Sequence, residues 1–130
     1  MEIPKVLVVD DELEVLQNLK SIVSHMIECQ IDDANNGNDA ILKMQENDYD
    51  LVILDIKMPE ASGIDAMRKI KETKSLPDIL VITAYDSASI AEEVVSEGAV
   101  DYIPKPIYPD NLKLKIKQIL EPKNMYKGKE

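Results

Sequence analysis

The chain has 130 residues, a formal net charge of −10, and 45% hydrophobic and 31% charged residues, a composition typical of one soluble globular domain. This charge makes the domain a poor nucleic-acid binder, because phosphate contacts need lysine and arginine, and no apolar run approaches the ~18 residues of a membrane span. The N-terminus lacks a basic region followed by an apolar stretch, so we expect no signal peptide and a cytoplasmic location. The single cysteine, Cys29, cannot form an internal disulfide, and we expect it to be a buried core residue.

Short apolar runs alternate with helical patterns along the chain. The runs comprise residues 6–9, 51–54, 79–82 and a weaker one at 100–103. Apolar runs bounded by polar residues are typical of parallel strands that are buried on both faces. A more polar segment at residues 29–34 is predicted to be a further strand, and its polarity places it at an edge of the sheet.

Five amphipathic helices are predicted between and after the strands. The first spans residues 12–26, with one apolar face formed by Val15, Leu19, Ile22 and Met26. The others span residues 38–46 with Asn38 as N-cap, 62–73, 87–97 ended by Gly98, and 109–120.

This alternation predicts an α/β fold, a doubly wound five-stranded parallel sheet in the order 2-1-3-4-5, flavodoxin-like (βα)5. We expect one domain over residues 1–121, with residues 122–130 as a polar C-terminal tail or the start of a linker.

Polar residues stand where the predicted strands end. Asp10 and Asp11 follow the first strand, Asp55 the third, Thr83 the fourth, and Lys105 the fifth. The carboxyl ends of parallel strands share one edge of the sheet, where ligands bind in such folds. Three carboxylates and one ammonium carry a formal net charge of −2, so they crowd each other and repel a phosphoryl group. A hard divalent cation relieves both effects, and Mg²⁺ suits these oxygen ligands best.

The ordered set of these residues resembles the receiver domain of two-component response regulators, of the chemotaxis-regulator type, over about residues 3–120. The set comprises Asp10-Asp11, Asp55, Met58-Pro59, Gly63, Thr83-Ala84, Tyr102 and Lys105-Pro106. Each element alone is common, but their placement after successive strands is specific. One departure is Ile107, which stands where the family often has an aromatic residue and affects local packing more than chemistry.

The resemblance implies that Asp55 is a phosphoacceptor. It would take a phosphoryl group from the phosphohistidine of a sensor histidine kinase or a histidine phosphotransfer protein. Asp11, Asp55 and the backbone carbonyl of Lys57 would ligate Mg²⁺ directly, and Asp10 would act largely through water. His25 lies near a helix end as a surface residue, so the donor histidine should belong to another chain or domain.

The remaining site residues have implied roles in switching. Lys105, joined to Pro106 by a cis peptide bond, would pair with the phosphoryl oxygens. The Thr83 hydroxyl would donate a hydrogen bond to another of these oxygens. As Thr83 moves, Tyr102 would rotate inward and reshape the face made by the fourth helix, fifth strand and fifth helix. That face would control a downstream effector domain or protein, or form a phosphorylation-dependent homodimer. Such a domain is not an enzyme, although it assists its own phosphorylation and dephosphorylation.

Three alternatives use the same residues. A metal-dependent phosphatase or related hydrolase with an aspartyl nucleophile usually has a second aspartate two residues later, where this chain has Lys57. A flavin-binding electron carrier shares the fold, but the sequence Asp10-Asp11-Glu12 after the first strand is hostile to a phosphate. A degenerate receiver acting as a scaffold would have lost some of the acidic pair, Asp55, Thr83 or Lys105, and all are intact.

Overall fold

The computed structural model describes residues 3–56, 63–84 and 88–129. Within these ranges the strands are β1 (Lys5–Val9), β2 (Gln30–Ala34), β3 (Leu51–Asp55), β4 (Ile79–Thr83) and β5 (Asp101–Pro104). The helices are α1 (Leu13–Met26), α2 (Gly37–Glu46), α3 (Gly63–Lys71), α4 (Ala88–Ser96) and α5 (Pro109–Leu120). The strands are parallel and form one sheet in the order β2-β1-β3-β4-β5. The predicted fold and strand order are confirmed, with polar β2 at an edge.

Helices cover both faces of the sheet, and successive strand residues alternate between the two layers. In β1, Val6 and Val8 pack with residues of α1 and α5, whereas Leu7 and Val9 pack with residues of α2, α3 and α4. All five residues of β3 and of β4 are buried. The last residues of these two strands, Asp55 and Thr83, are therefore buried polar groups at the carboxyl edge.

The core face of α1 is rotated slightly from its predicted position. Leu19 and Met26 are buried as expected, and the other two buried residues are Leu16 and Val23. Val15 and Ile22 are only partly buried at the side of the core. The helix therefore presents apolar side chains beyond the strip that the sheet covers.

The predicted N-cap of α2 at Asn38 is wrong. The helix begins at Gly37, and the cap is Asn36, whose backbone is extended. The side-chain oxygen of Asn36 accepts a hydrogen bond of 2.7 Å from the N–H of Asp39, which would otherwise lack a partner in the first turn. Asn38 lies inside that first turn.

Gly98 ends α4 as predicted, because its backbone adopts a φ of +117°. L side chains are strained in this region. A Cβ atom at this position would also lie 2.6 Å from Cδ1 of Leu76. The positive φ of this turn therefore requires glycine, whereas the end of the Leu76 side chain could move aside.

Residues 121–129 pack against the domain at the end of the sheet opposite the carboxyl edge. A short 3-10 helix, Glu121–Lys123, follows α5, and Gly128 then forms an antiparallel bridge with Ile27. The backbone of Lys129 donates to Met26 at 2.8 Å, and Met125 and Tyr126 pack against the α1–α5 layer. The segment adds no residue to the carboxyl edge.

Cys29 lies beside this segment and is half-buried rather than fully buried. Burial raises the pKa of its thiol, while nearby Lys129 acts in the opposite direction. In the part of the chain that the structure describes, no helix combines the length and the apolar composition needed to cross a membrane.

Candidate functional site

Three carboxylates converge where β1 and β3 end side by side. Asp10 directly follows β1 and Asp55 is the last residue of β3, and Val9 and Leu54 are paired in the ladder. The side chains of Asp10 and Asp55 are buried, whereas Asp11 is partly exposed. One oxygen of each of these three carboxylates lies within 4.8 Å of the other two. The structure thus brings together the acidic group that the sequence predicted.

Both oxygens of Asp10 have partners. Oδ1 accepts a hydrogen bond of 3.0 Å from the backbone N–H of Glu12. Glu12 is the N-cap residue of α1, and its N–H has no partner within that helix. Oδ2 lies 3.3 Å from Nζ of Lys105. Asp10 is therefore held in place by the start of α1 and by the loop after β5.

Lys105 joins Asp10 to the phosphoacceptor candidate. Its Nζ lies 3.3 Å from Oδ2 of Asp55 and at the same distance from Oδ2 of Asp10. Burial lowers the pKa of the ammonium group, but the carboxylates of Asp55 and Asp10 outweigh this effect and raise it above its ordinary value. The group is therefore charged at neutral pH. The peptide bond from Lys105 to Pro106 is cis, as the resemblance implies.

Thr83 lies at the same edge, on the neighbouring strand. It is fully buried as the last residue of β4, and its carbonyl accepts a hydrogen bond of 2.7 Å from the backbone N–H of Lys105. Tyr102, paired with Val81 in the ladder, is partly buried. It packs against the core layer that contains Ile90 and Val94. Thr83 is thus linked to the loop that carries Lys105, and Tyr102 to the layer that contains α4.

The donor set fits Mg²⁺. Carboxylate oxygens are hard ligands, and Mg²⁺ commonly binds one or two of them while keeping several water molecules. Partly exposed Asp11 leaves the cluster open to water on one side. The predicted ligand from the backbone of Lys57 and the Met58-Pro59 motif lie outside the described residues.

An apolar hollow of about 320 Å³ has Lys105, the partner of Asp10 and Asp55, in its lining. Its lining residues are Glu12, Val15, Asn18, Leu19, Ile22, Lys105, Pro106 and Ile107. The hollow runs between α1 and the loop after β5. Sequence patterns did not indicate it, because its two walls are separated by about the whole length of the domain.

Two contacts that shape the site were also missed by the sequence argument. One is the bond from the N–H of Glu12 to Asp10, which could be expected for a carboxylate that comes two residues before a helix. The other is the close approach of Gly63 to the backbone of Asp55 and Ile56. Gly63 belongs to the family motif, but no local pattern shows which atoms it contacts.

The fold and the acidic edge define a flavodoxin-like α/β domain with a carboxylate site. The family model of the response regulator receiver domain matches residues 6–117, and the chain therefore belongs to this family. Receiver domains of response regulators are signalling switches and not classical enzymes.

Individual relatives agree with this assignment. The chain is 38% identical over 116 residues to the transcriptional regulatory protein ResD of Bacillus subtilis, covering 89% of this chain and 48% of ResD. The chain thus spans about half, or less, of the length of the curated relatives it matches.

Solved structures show the same fold. The signal receiver domain of a putative Luxo repressor protein from Vibrio parahaemolyticus superposes with a TM-score of 0.87 at 29% identity, covering 95% of both chains. A chain of the CheX-CheY-BeF3-Mg²⁺ complex from Borrelia burgdorferi gives 0.82 at 27% identity, covering 89% of this chain and 88% of its own.

Proposed function

We propose that the domain is a phosphoacceptor switch in which Asp55 receives a phosphoryl group from a phosphohistidine of a sensor histidine kinase or a histidine phosphotransfer protein. The observation that carries this proposal is the buried Asp55 carboxylate, held between an acidic pair and an ammonium group 3.3 Å away. Catalysis of phosphoryl transfer consists mainly of positioning and charge neutralisation. Both are features of this arrangement.

The transfer exchanges one bond for another. A carboxylate oxygen of Asp55 attacks phosphorus and forms an O–P bond, while the P–N bond to the donor imidazole breaks. The imidazole nitrogen keeps the electron pair of the broken bond and takes up a proton. Lys105 then pairs with the phosphoryl oxygens, and the Thr83 hydroxyl donates to one of them.

Mg²⁺ is the cofactor of this proposal. Asp11 and Asp55 would bind it directly together with the carbonyl of Lys57, and Asp10 would act through water. When bound, it supplies positive charge against the formal −2 of the site and against the incoming phosphoryl group. Asp10 suits an indirect role, because Glu12 and Lys105 already occupy both of its oxygens.

The surroundings of the site support a protein donor. The apolar hollow beside Lys105 offers Val15, Ile22 and Ile107 to a partner's side chains. His25 is exposed near the end of α1, with its Nδ1 2.7 Å from the carbonyl of Ser21. It therefore lies at the opposite end of α1 from the carboxylates, which favours a donor histidine on another chain or domain.

We expect phosphorylation at Asp55 alone when the purified domain is incubated with acetyl phosphate and Mg²⁺. The phosphorylated residue is identified by mass spectrometry after borohydride reduction of the acyl phosphate. The Asp55→Asn variant should incorporate no phosphoryl group, because an amide is not a nucleophile, and chelation of Mg²⁺ should also prevent the reaction.

Asp32→Asn provides the control, since this carboxylate on β2 bonds to Tyr49 instead of the site. It should be phosphorylated at Asp55 like the wild type. A modification on another residue, or one that persists in Asp55→Asn, contradicts the proposal.

We further propose that α4, β5 and α5 form the output face. Tyr102 in β5 packs in one layer with Ile90 and Val94 of α4, and the backbone link between Lys105 and Thr83 joins this face to the site. Apolar side chains are exposed on and around it, namely Val95, Val100, Tyr108 and Leu114. Such a surface suits contact with an effector domain, an effector protein or a second copy of the chain.

The far end of α4 is anchored to α3. Arg68 donates to Oε2 of Glu97 at 2.7 Å, and Lys71 donates to Oε1 of Glu97 at 3.0 Å. The hydrogen bond from Arg68, with that from Lys71, lowers the pKa of Glu97 to about 2. The carboxylate is thus ionised at neutral pH, and we expect the first turns of α4 to respond to phosphorylation more than its end.

Beryllofluoride with Mg²⁺ should therefore change the amide chemical shifts of Ile90, Val94 and Tyr102. Changes should be larger at Ile90 than at Glu97, and small at Val15 and Leu19 on α1. Two-dimensional NMR of the labelled domain measures this. Asp55→Asn with the same additions is the control and should show no shift at Ile90. If the chemical shifts change only at residues that adjoin Asp55, the proposed output face is contradicted. The proposal that Asp55 is the phosphoacceptor would still stand.

A further inference from the structure

The first residue of α3 lies against the backbone that carries Asp55. A Cβ atom on Gly63 would be 2.7 Å from Cα of Ile56, 2.9 Å from its Cγ2 and 3.0 Å from the carbonyl oxygen of Asp55. Two of these three neighbours are backbone atoms, so no side-chain rotation can make room for it. The N–H of Gly63 also donates a hydrogen bond of 3.1 Å to the carbonyl of Ile56.

The same backbone is held from its other side by β4. The N–H of Ile56 donates to the carbonyl of Ile82 at 3.3 Å, and Asp55 is paired with Ile82 in the ladder. The Asp55–Ile56 segment is thus enclosed between a central strand and the start of α3.

Neither α3 nor β4 can easily move away from the Asp55–Ile56 segment. The helix α3 is anchored by Ala66, Met67 and Ile70, which are fully buried, and β4 is buried along its whole length. A side chain at position 63 would therefore be accommodated by a shift of Asp55 and Ile56. Such a shift would alter the 3.3 Å contact between Asp55 and Lys105.

We infer that Gly63 is a positioning residue for the phosphoacceptor: its missing side chain sets where the Asp55 carboxylate stands relative to Lys105 and the acidic pair. This inference rests on the proposed function of Asp55. Transfer rates depend steeply on such placement, since a displacement of about 1 Å can cost on the order of 10²-fold in rate. Gly63 does not itself touch the reacting atoms.

The test is the rate of phosphorylation by acetyl phosphate at saturating Mg²⁺ in the Gly63→Ala variant. We expect a fall of at least about tenfold, with the far-ultraviolet circular dichroism spectrum of the folded wild type. The signals of Lys105 and Asp10 in NMR spectra should shift as well, because Asp55 moves relative to both.

Two controls separate positioning from loss of stability. Lys69→Gly weakens α3 by about 1 kcal/mol at an exposed position while leaving the buried anchoring residues and the contact of Gly63 unchanged, and it should be phosphorylated at nearly the wild-type rate. Gly128→Ala also adds a crowded methyl group, 3.1 Å from the hydroxyl oxygen of Tyr126, but far from the site, and it should have no effect.

Should Gly63→Ala fail to fold, the double variant Gly63→Ala/Ile56→Ala removes the contact with Cγ2 and retains the two backbone contacts. It should still react slowly. A wild-type rate in either folded variant, or an equal loss in Lys69→Gly, overturns the inference. A wild-type protein that is not phosphorylated at Asp55 contradicts the proposed function instead.

Discussion

Replacing Lys105 with alanine should destabilise the unphosphorylated domain by about 1–3 kcal/mol in the absence of Mg²⁺, and should abolish the response of α4 to beryllofluoride. The ammonium group is the partner of two buried carboxylates, Asp10 and Asp55. Removing one partner of a fully buried ion pair costs about 3–5 kcal/mol. Lys105 is 23% exposed, so the expected cost is smaller.

This expectation differs from the one that follows from the sequence alone. A lysine in a loop at the sheet edge resembles an exposed charge pair, which contributes only about 0–1 kcal/mol. The structure shows that Asp10 is 0% exposed and that Lys105 contacts it directly. Without the lysine, the carboxylates would repel each other in a poorly solvated position.

Urea denaturation of the wild type and of Lys105→Ala, with and without Mg²⁺, measures the effect. Mg²⁺ should restore much of the lost free energy of unfolding, because it replaces the missing positive charge. Lys20→Ala is the matched control, since Lys20 is 27% exposed and pairs with Asp33 at 2.6 Å, outside the site. A loss no larger than that of Lys20→Ala would mean that Lys105 does not balance the buried charges.

The second large effect concerns Mg²⁺ itself. Binding to the folded state alone should raise the free energy of unfolding, by about 2.7 kcal/mol at a concentration of 100 times Kd. Asp11→Asn should remove most of this gain, because the variant loses one proposed direct ligand. In the absence of Mg²⁺, Asp11→Asn should also be more stable than the wild type. A neutral amide then replaces one of the three clustered carboxylates, which reduces their mutual repulsion.

Thermal unfolding at constant ionic strength, with NaCl replacing MgCl₂, separates binding from general screening. Asp48→Asn is a suitable control, because the Asp48 side chain is 98% exposed and pairs only with Lys74, outside the site, among the described residues. It should respond to Mg²⁺ like the wild type. Equal stabilisation of Asp11→Asn and the wild type would show that the proposed ligands are wrong.

The sequence by itself determined the layout of this domain. Strands buried on both faces must be continuously apolar, so β3 and β4 were visible as runs, and the polar segment could only be an edge strand. Parallel strands place their carboxyl ends together, so the sequence alone assigns the residues at these ends, such as Asp10 and Asp55, to one edge.

The tertiary structure decided the contacts between residues far apart in the chain. The position of Lys105, 3.3 Å from both Asp10 and Asp55, and the close approach of Gly63 to Ile56 depend on how loops and helices dock on the sheet. Periodicity reports which face of an element is apolar, but not the distance between side chains of different elements. For the same reason, the packing of Tyr126 and its neighbours against α1 and α5 was not visible in a polar, lysine-rich terminus.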